Sequence, residues 1–473
     1  MIIGRKAEQK ELLKAYTSEY SEFVAITGRR RVGKTFLVRE TFHYEFAFQH
    51  SGLANQHTRA QLREFRQSLI RCGMKKCRVP VDWFDAFYLL SELLDRQKAG
   101  KKVVFIDELP WMDAPRSNFV SAIEHFWNSY ASARKDVLLV ICGSATSWMI
   151  NHVFKDHGGL HNRVTYRINL APFTLHECEQ YAQSRHLGMS RYGILECYMV
   201  MGGVPFYWSM LERGRSVAQN VDALFFSRTG KLYYEYNELY KSLFKNPEPY
   251  IKVVETLGVK RLGMIREELI REGDVSNNGL LTRVLEDLEA CGFIRKYDYQ
   301  GIKHSTAIYQ LVDNYTLFYY KFLHNRAGVD ESFWSVNTNT PVRNAWEGLA
   351  FERVCFEHVR QIKQALGIAG VSSRIYSWRV KDDPVYGSGT QIDMVIDRAD
   401  QIVNLCEMKF SATEYAIDKS DDESFRHKVA RFSATQKGHK AVHTTLVAPF
   451  GIKPNLYRHS VQHVVTAGDL FEA

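Results

Sequence analysis

Three short apolar runs, at residues 23–26, 103–106 and 137–142, stand in the first third of the chain. Each is apolar on both faces and is closed by glycine or acidic residues, which predicts buried parallel strands rather than half-solvated ones. A fourth strand is expected at 164–170. Helical spacing surrounds them: Gly4, Arg5, Glu8, Leu12 and Leu13 open an amphipathic helix, and a second helix follows at 36–41. Beyond residue 170 the pattern turns helical. Thr174 and Glu177 have the spacing of a capping box, the periodicity runs through Tyr181 and Tyr198, and Gly202, Gly203 and Pro205 break it. Tyr233, Tyr234, Tyr236, Tyr240 and Phe244 then recur at helical spacing, as core or interface residues do. Short helices at 251–257 and 264–271 and a third that Ser276 can cap, ended by Gly292, lead into a hairpin at 293–299 and 306–311. Helix, helix, helix, hairpin is the order of a winged helix. After an aromatic connector at 311–323, a helix at 345–359, a hairpin at 391–397 and 402–410, a helix at 424–435 and a strand at 444–447 predict an α/β/α layer.

The expected fold class is therefore α/β in four parts: a parallel-sheet core over 1–170, a helical lid over 171–244, a winged-helix domain over 245–330 and an α/β/α domain over 331–473. A chain of 473 residues is too long for one ordinary core, and 45% hydrophobic with 24% charged residues describes a globular protein. The formal charge of +9 permits nucleic-acid binding without demanding it. Eight cysteines without a CxxC pair fit reduced thiols better than disulfides or a zinc site. The N-terminus carries Arg5 and Lys6 and no long apolar stretch, so no signal peptide is expected, and the longest apolar run, 137–142, is too short to span a bilayer. A cytoplasmic chain with no membrane partner is the expectation.

The first run changes the picture most. It ends at Gly28, and Gly28, Arg29, Arg30, Arg31, Val32, Gly33, Lys34 and Thr35 fit G-x-x-x-x-G-K-[ST], with Phe36 opening the helix. Glycines let backbone amides curl around a phosphate, Lys34 reaches the β- and γ-phosphates, and Thr35 offers its hydroxyl to Mg2+. A P-loop binding ATP is thus expected. The second run ends in Asp107 and Glu108, where ligands meet open α/β sheets. Asp107 would hold magnesium through water and Glu108 would polarise the attacking water. The third ends in Gly143-Ser144, and Ser144 would orient that water, a plain turn serine being the equal alternative.

This order of phosphate loop, acidic strand and polar-tipped strand resembles the AAA+/STAND-like ATPases. More narrowly, GRRRVGKT, IDELPWM, CGSATSWM, Pro172-Phe173 and Gly202-Gly203-Val204-Pro205 look like the archaeal ATPase family, whose members often carry a C-terminal DUF234 domain. The resemblance implies a P-loop NTPase (AAA+-like) core with a helical lid. It also makes Arg163 a candidate sensor of the γ-phosphate, in cis or from a second copy of the chain, although Asn162 stands where glycine is usual.

At the far end, a turn centred at 399–400 sets position 393 opposite 406 or 407, so Asp393 is expected beside Glu407, with Lys409 on the same face as Glu407. Two carboxylates and a lysine on one face suit a metal-dependent phosphodiester hydrolase: Asp393, Glu407 and the Met408 carbonyl would hold Mg2+ or Mn2+, and Lys409 would steady the hydroxide or phosphate. Glu347, or less readily Glu352, would add a carboxylate from the helix. The pattern resembles the PD-(D/E)xK, restriction-endonuclease-like superfamily, without the proline of that name, since Ile392 precedes Asp393. Lys428, Arg431, Lys437 and Lys440 would meet phosphates or simply be solvated. In the winged helix, Asn277, Asn278, Thr282 and Arg283 could reach DNA bases and Arg295, Lys296 and Lys303 could line the wing, whereas Glu286, Asp287 and Glu289 would repel phosphate; a protein-contacting winged helix is equally open. The leading expectation is an ATPase coupled to a DNA nuclease, in genome defence or mobile-element processing. The rival is a nucleotide switch with a silent nuclease-like domain.

Overall fold

Alternate side chains of β1 (Glu22–Thr27) enter two separate cores. Phe23 and Ala25 join Phe65, Trp83, Phe87 and Phe119 from the helices Thr58–Arg71, Trp83–Asp95 and Phe119–Phe126. Val24 and Ile26 join Leu12, Leu37 and Val38 from the helices Lys6–Thr17 and Lys34–Thr41. That is why the run is apolar at every position: helices cover both faces of the sheet. With β2 (Phe48–Ser51), β3 (Lys102–Asp107), β4 (Val137–Cys142) and β5 (Tyr166–Asn169), β1 forms a five-stranded sheet in the order β2-β3-β4-β1-β5, parallel throughout. The edge strand β2, with the sequence FQHS, gave no apolar signal.

The structure is a computed structural model that describes all residues except 1, 145, 155–159, 161, 245, 261–262, 299–306, 325–329, 385–387 and 437–439. The expected turn at Gln300-Gly301 and the cations Lys303 and Lys437 lie outside the described residues. No helix among the described residues is long and apolar enough to cross a membrane. Two compact units make up the chain: residues 1–172 with 239–247 and 282–292, and residues 173–238, 248–281 and 293–473. Most of the helix Gly279–Ala290 thus groups with the first unit, where Leu285 and Leu288 are buried. Its first turn is capped by Asn278, whose side chain accepts from the Leu281 amide at 3.1 Å, in place of the expected Ser276.

In the second unit, the helix Leu175–Ser184 begins with the expected capping box of Thr174 and Glu177. The strands β6 (Met264–Ile265), β7 (Ile294–Asp298) and β8 (Ala307–Leu311) form an antiparallel sheet in the order β6-β8-β7, in the same unit as the helices Glu248–Val259 and Arg266–Gly273. Towards the C-terminus, β9 (Ser373–Val380), β10 (Thr390–Arg398), β11 (Ile402–Met408), β12 (Ala441–Val447) and β13 (His463–Val465) stand in the order β13-β12-β11-β10-β9. The first three are antiparallel and the last three parallel. Ile392, Val395, Val403 and Leu405 pack with Phe432 of the helix Lys419–Thr435. That helix starts earlier than its apolar pattern suggests because Asp418 and Asp421 form a capping box. The helix Pro341–Glu357 likewise starts early, capped by Thr340 with proline at its first turn.

Candidate nucleotide site and C-terminal acidic residues

The loop after β1 is shaped by its two glycines. Gly28 has a φ of +139°, and a Cβ there would lie 2.3 Å from the Leu170 carbonyl oxygen; Gly33, at φ +92°, caps the helix Lys34–Thr41. Arg31 also takes a left-handed backbone, at φ 71°. Lys34 is buried inside the curve, and its Nζ donates to the carbonyls of Gly28 at 2.9 Å and Arg29 at 3.0 Å. Burial pulls the Lys34 pKa down, opposed by Cys142, Glu108 and Asp107. Arg29 and Val32 are buried, Arg30 and Arg31 half-buried, and Phe36 points outward.

The strand order brings the ends of β3 and β4 beside this loop. Thr35 donates its hydroxyl to Asp107 at 2.7 Å, and the Glu108 amide donates to the other Asp107 oxygen at 2.9 Å. Ser144, almost fully buried, donates to Glu108 at 2.8 Å. Glu108 itself sits at φ 50°, ψ 46°, a left-handed conformation that costs a non-glycine residue on the order of 1–3 kcal/mol. Tight neighbours hold it there: a Cβ on Gly52 would lie 2.6 Å from the Glu108 carbonyl oxygen. Gln61, wholly buried, straps the same turn by bonding both backbone groups of Leu53 and the Trp111 carbonyl. Sequence reasoning missed Gln61, a polar residue on a helix without any motif. It also missed Cys142, whose thiol donates to Asp107 at 2.7 Å and whose pKa rises far above the ordinary range through burial and then the Asp107 charge. Its place at the tip of an apolar strand was the available signal. Arg163 is exposed in the turn before β5, with no ion pair to a described residue.

The C-terminal residues are arranged differently from the expectation. Met394 pairs with Cys406, so the register does set 393 opposite 407. A bulge between Ile392 and Val395, however, interrupts the pairing of β10 with β9. Asp393 accepts from the Met408 amide at 3.1 Å and lines a large cavity with Glu352, Ser377 and Gln391. Glu407 lines a small one with Phe425 and Lys428. Lys428 donates to Glu407 at 2.5 Å, and the other carboxylate oxygen is buried without a partner among the described residues. Burial, then the Asp393 charge, pushes the Glu407 pKa up to about 8 against the pull of Lys428. Lys409 pairs with Asp421 at 3.2 Å. Glu347, the favoured helix carboxylate, is instead bound by Arg343 at 2.7 Å, which also meets Glu196. Glu352 is the carboxylate that shares the Asp393 cavity, and both charges add to burial in raising the Cys355 thiol. Among the described residues no three His, Cys, Asp or Glu side chains gather closely enough to hold a metal ion.

The nucleic-acid candidates are also largely engaged. Asn277 accepts from Arg266 at 3.1 Å, and Asn278 caps its helix. Asp287 is buried, while Thr282, Arg283, Glu286 and Glu289 are exposed. Arg295 is half-buried rather than a surface cation of the wing, whereas Lys296 is exposed. Arg431 is buried and donates to the Lys381 carbonyl, and Lys440 pairs with Asp397.

Residues 3–211 match the family described as an ATPase domain predominantly from Archaea. An uncharacterized protein of Methanocaldococcus jannaschii is 22% identical over 409 residues, 84% of each chain. Similar solved structures include a Walker-type ATPase of Pyrococcus abyssi, at 14% identity over 68% of this chain and 96% of that one with a TM-score of 0.47. The ORC2 protein of Aeropyrum pernix, at 14% identity over 67% of this chain and 93% of that one, has a TM-score of 0.39. The P-loop, the parallel sheet and the family match over residues 3–211 make the first part of the chain similar to an archaeal-type ATPase domain.

Proposed function

We propose that the first unit binds ATP with Mg2+ and hydrolyses it with Glu108 as general base, and that the nucleotide state governs what the second unit engages. The observation that carries this is the paired contact at the strand ends, Thr35 with Asp107 and Ser144 with Glu108. Thr35 and Asp107 offer hard oxygens, which fit Mg2+ completed by phosphate oxygens and water. Such an ion supplies charge neutralisation for the phosphates. Lys34 binds the same phosphates, and the glycine-shaped loop presents its amides to them. Glu108 takes the proton of the attacking water, and Ser144 keeps its carboxylate turned to that task. Exposed Arg163 suits a role supplied to a second copy. In Glu108→Gln, turnover should fall by about 10²–10⁴ while ATP still binds, as expected for loss of a general base. Turnover left unchanged would remove Glu108 from this role.

For the C-terminal part of the second unit we favour the restriction-endonuclease-like reading of the frame, with the nuclease chemistry silent. The Glu407–Lys428 pair supports silence: the ammonium already holds one of the carboxylate oxygens that an ion would need. Asp393 and Glu407 also line separate cavities. Supercoiled plasmid incubated with Mg2+ or Mn2+, with and without ATP, should stay intact. Nicking that disappears in Asp393→Ala would restore the active-nuclease reading.

A further inference from the structure

The cavity that Asp393 lines is far larger than a carboxylate site needs. It encloses about 830 Å³ within the second unit, walled by the helices Glu248–Val259, Asn314–Phe322 and Pro341–Glu357, by β7 and β8, and by the adjoining ends of β9 and β10. That is the size of a pocket for an organic ligand, and its lining is mixed in a particular way. Rings of Tyr297 and Phe356 line it, with the Arg295 guanidinium 4.2 Å from the Phe356 centroid. Arg295 donates one nitrogen to Gln310 at 2.7 Å, but its buried Nε meets no acceptor among the described residues. A buried donor of this kind calls for an acceptor brought by something else. Lys321 stands exposed at the same cavity without an ion pair to a described residue. Opposing these cations, Asp393 and Glu352 add carboxylates, and Asp393 has no cationic partner among the described residues.

The geometry points to a site for unpaired nucleotides of a single nucleic-acid strand. Each part of the lining has a counterpart in such a strand. Aromatic faces stack on bases, and Arg295 and Lys321 meet phosphate oxygens. The carboxylates accept from exocyclic amino groups on base edges. An acidic peptide would meet Asp393 and Glu352 as repulsion with nothing to gain from the rings. A duplex, with its bases stacked inside, offers the rings no face. The inference needs no cleavage and does not rest on the proposed ATP hydrolysis.

The test titrates the full chain, without nucleotide and in EDTA, into a fluorescein-labelled mixed-pyrimidine single strand and into the matching duplex, read by anisotropy. The single strand should bind about tenfold more tightly, and Tyr297→Ala should weaken it about tenfold through lost stacking. Lys321→Glu, on an exposed position that leaves folding intact, should weaken strand binding and lower the salt slope by about one. Lys419→Glu, outside the cavity, should leave binding as it is. Equal affinity for duplex, an inert Lys321→Glu, or polyglutamate competing as well as the strand would each overturn the site. ATP hydrolysis measured in parallel keeps the two readings apart: strand binding that persists in a chain unable to hydrolyse ATP sinks only the ATPase mechanism.

Discussion

The phosphate-loop site and the C-terminal acidic site both rest on carboxylates carried by strands, yet only the first has its expected partners together. In the first unit Asp107 reaches Thr35, and Glu108 reaches Ser144. In the second, Glu407 is taken by Lys428, Lys409 by Asp421 and Glu347 by Arg343, leaving Asp393 beside Glu352. The difference lies in what positions the side chains. A parallel sheet with helices on both faces fixes the ends of β1, β3 and β4 side by side, and a strand needs only its register to deliver the next residue. The C-terminal residues come from a bulged hairpin and from one helix on which Glu352 follows Glu347 by about one and a half turns. There, one extra residue redirects a carboxylate to another cavity.

The sharpest way to break the comparison is at Lys34. Lys34→Ala removes the ammonium inside the loop, and ATP affinity should fall about a hundredfold or more, the worth of two charge-assisted bonds. Isothermal titration with a non-hydrolysable analogue reads it, and retained binding would mean the loop does not grip phosphate.

A smaller effect tests the second region. Glu407 has a folded pKa of about 8 against an ordinary 4.5. Below about pH 4.5 both the folded and unfolded chains hold that proton, so it contributes no pH dependence. Between the two values the fold keeps a proton that the unfolded chain has lost, so stability falls as pH rises. Lys428→Met should therefore cost about 3–5 kcal/mol near pH 8–9, where it strands a buried carboxylate, and less at pH 5, where Glu407 is neutral. Denaturant melts at the two pH values measure this. A loss independent of pH would show that Lys428 serves packing rather than the Glu407 charge.

These contrasts also explain what the sequence could reveal. The loop, β1, β3 and β4 were legible because their signals are local: a glycine spacing and apolar runs that need burial on both faces. The strand β2 was not, because an edge strand of Phe48, Gln49, His50 and Ser51 carries no such run. In the C-terminal hairpin, the turn centred at 399–400 set 393 opposite 406 or 407 and the register places it at 407, but nothing in the residue order marks the bulge. Glu347 and Glu352 are both carboxylates on one helix, and nothing in the residue order marks that Arg343, four residues before Glu347, binds it. The cap at Asn278 instead of Ser276 is the same lesson at small scale, since both residue types satisfy a helix start.

The smallest effect sharpens the first region from within. Ser144→Ala deletes one hydroxyl from Glu108 and leaves its other supports: the left-handed backbone, the close approach of Gly52, and the Gln61 strap across Leu53 and Trp111. If the hydroxyl orients the carboxylate, kcat should drop about tenfold, the value of roughly one hydrogen bond to a charged group, with KM for ATP unchanged. That is a far smaller loss than Glu108→Gln, because the base remains and only its aim loosens. A Ser144→Thr variant, which keeps the donor, should recover most of the rate. A rate indistinguishable from the unaltered chain would return Ser144 to a turn residue. A loss as deep as that of Glu108→Gln would mean that the hydroxyl touches the reacting water itself, so that β4, as much as β3, carries the chemistry.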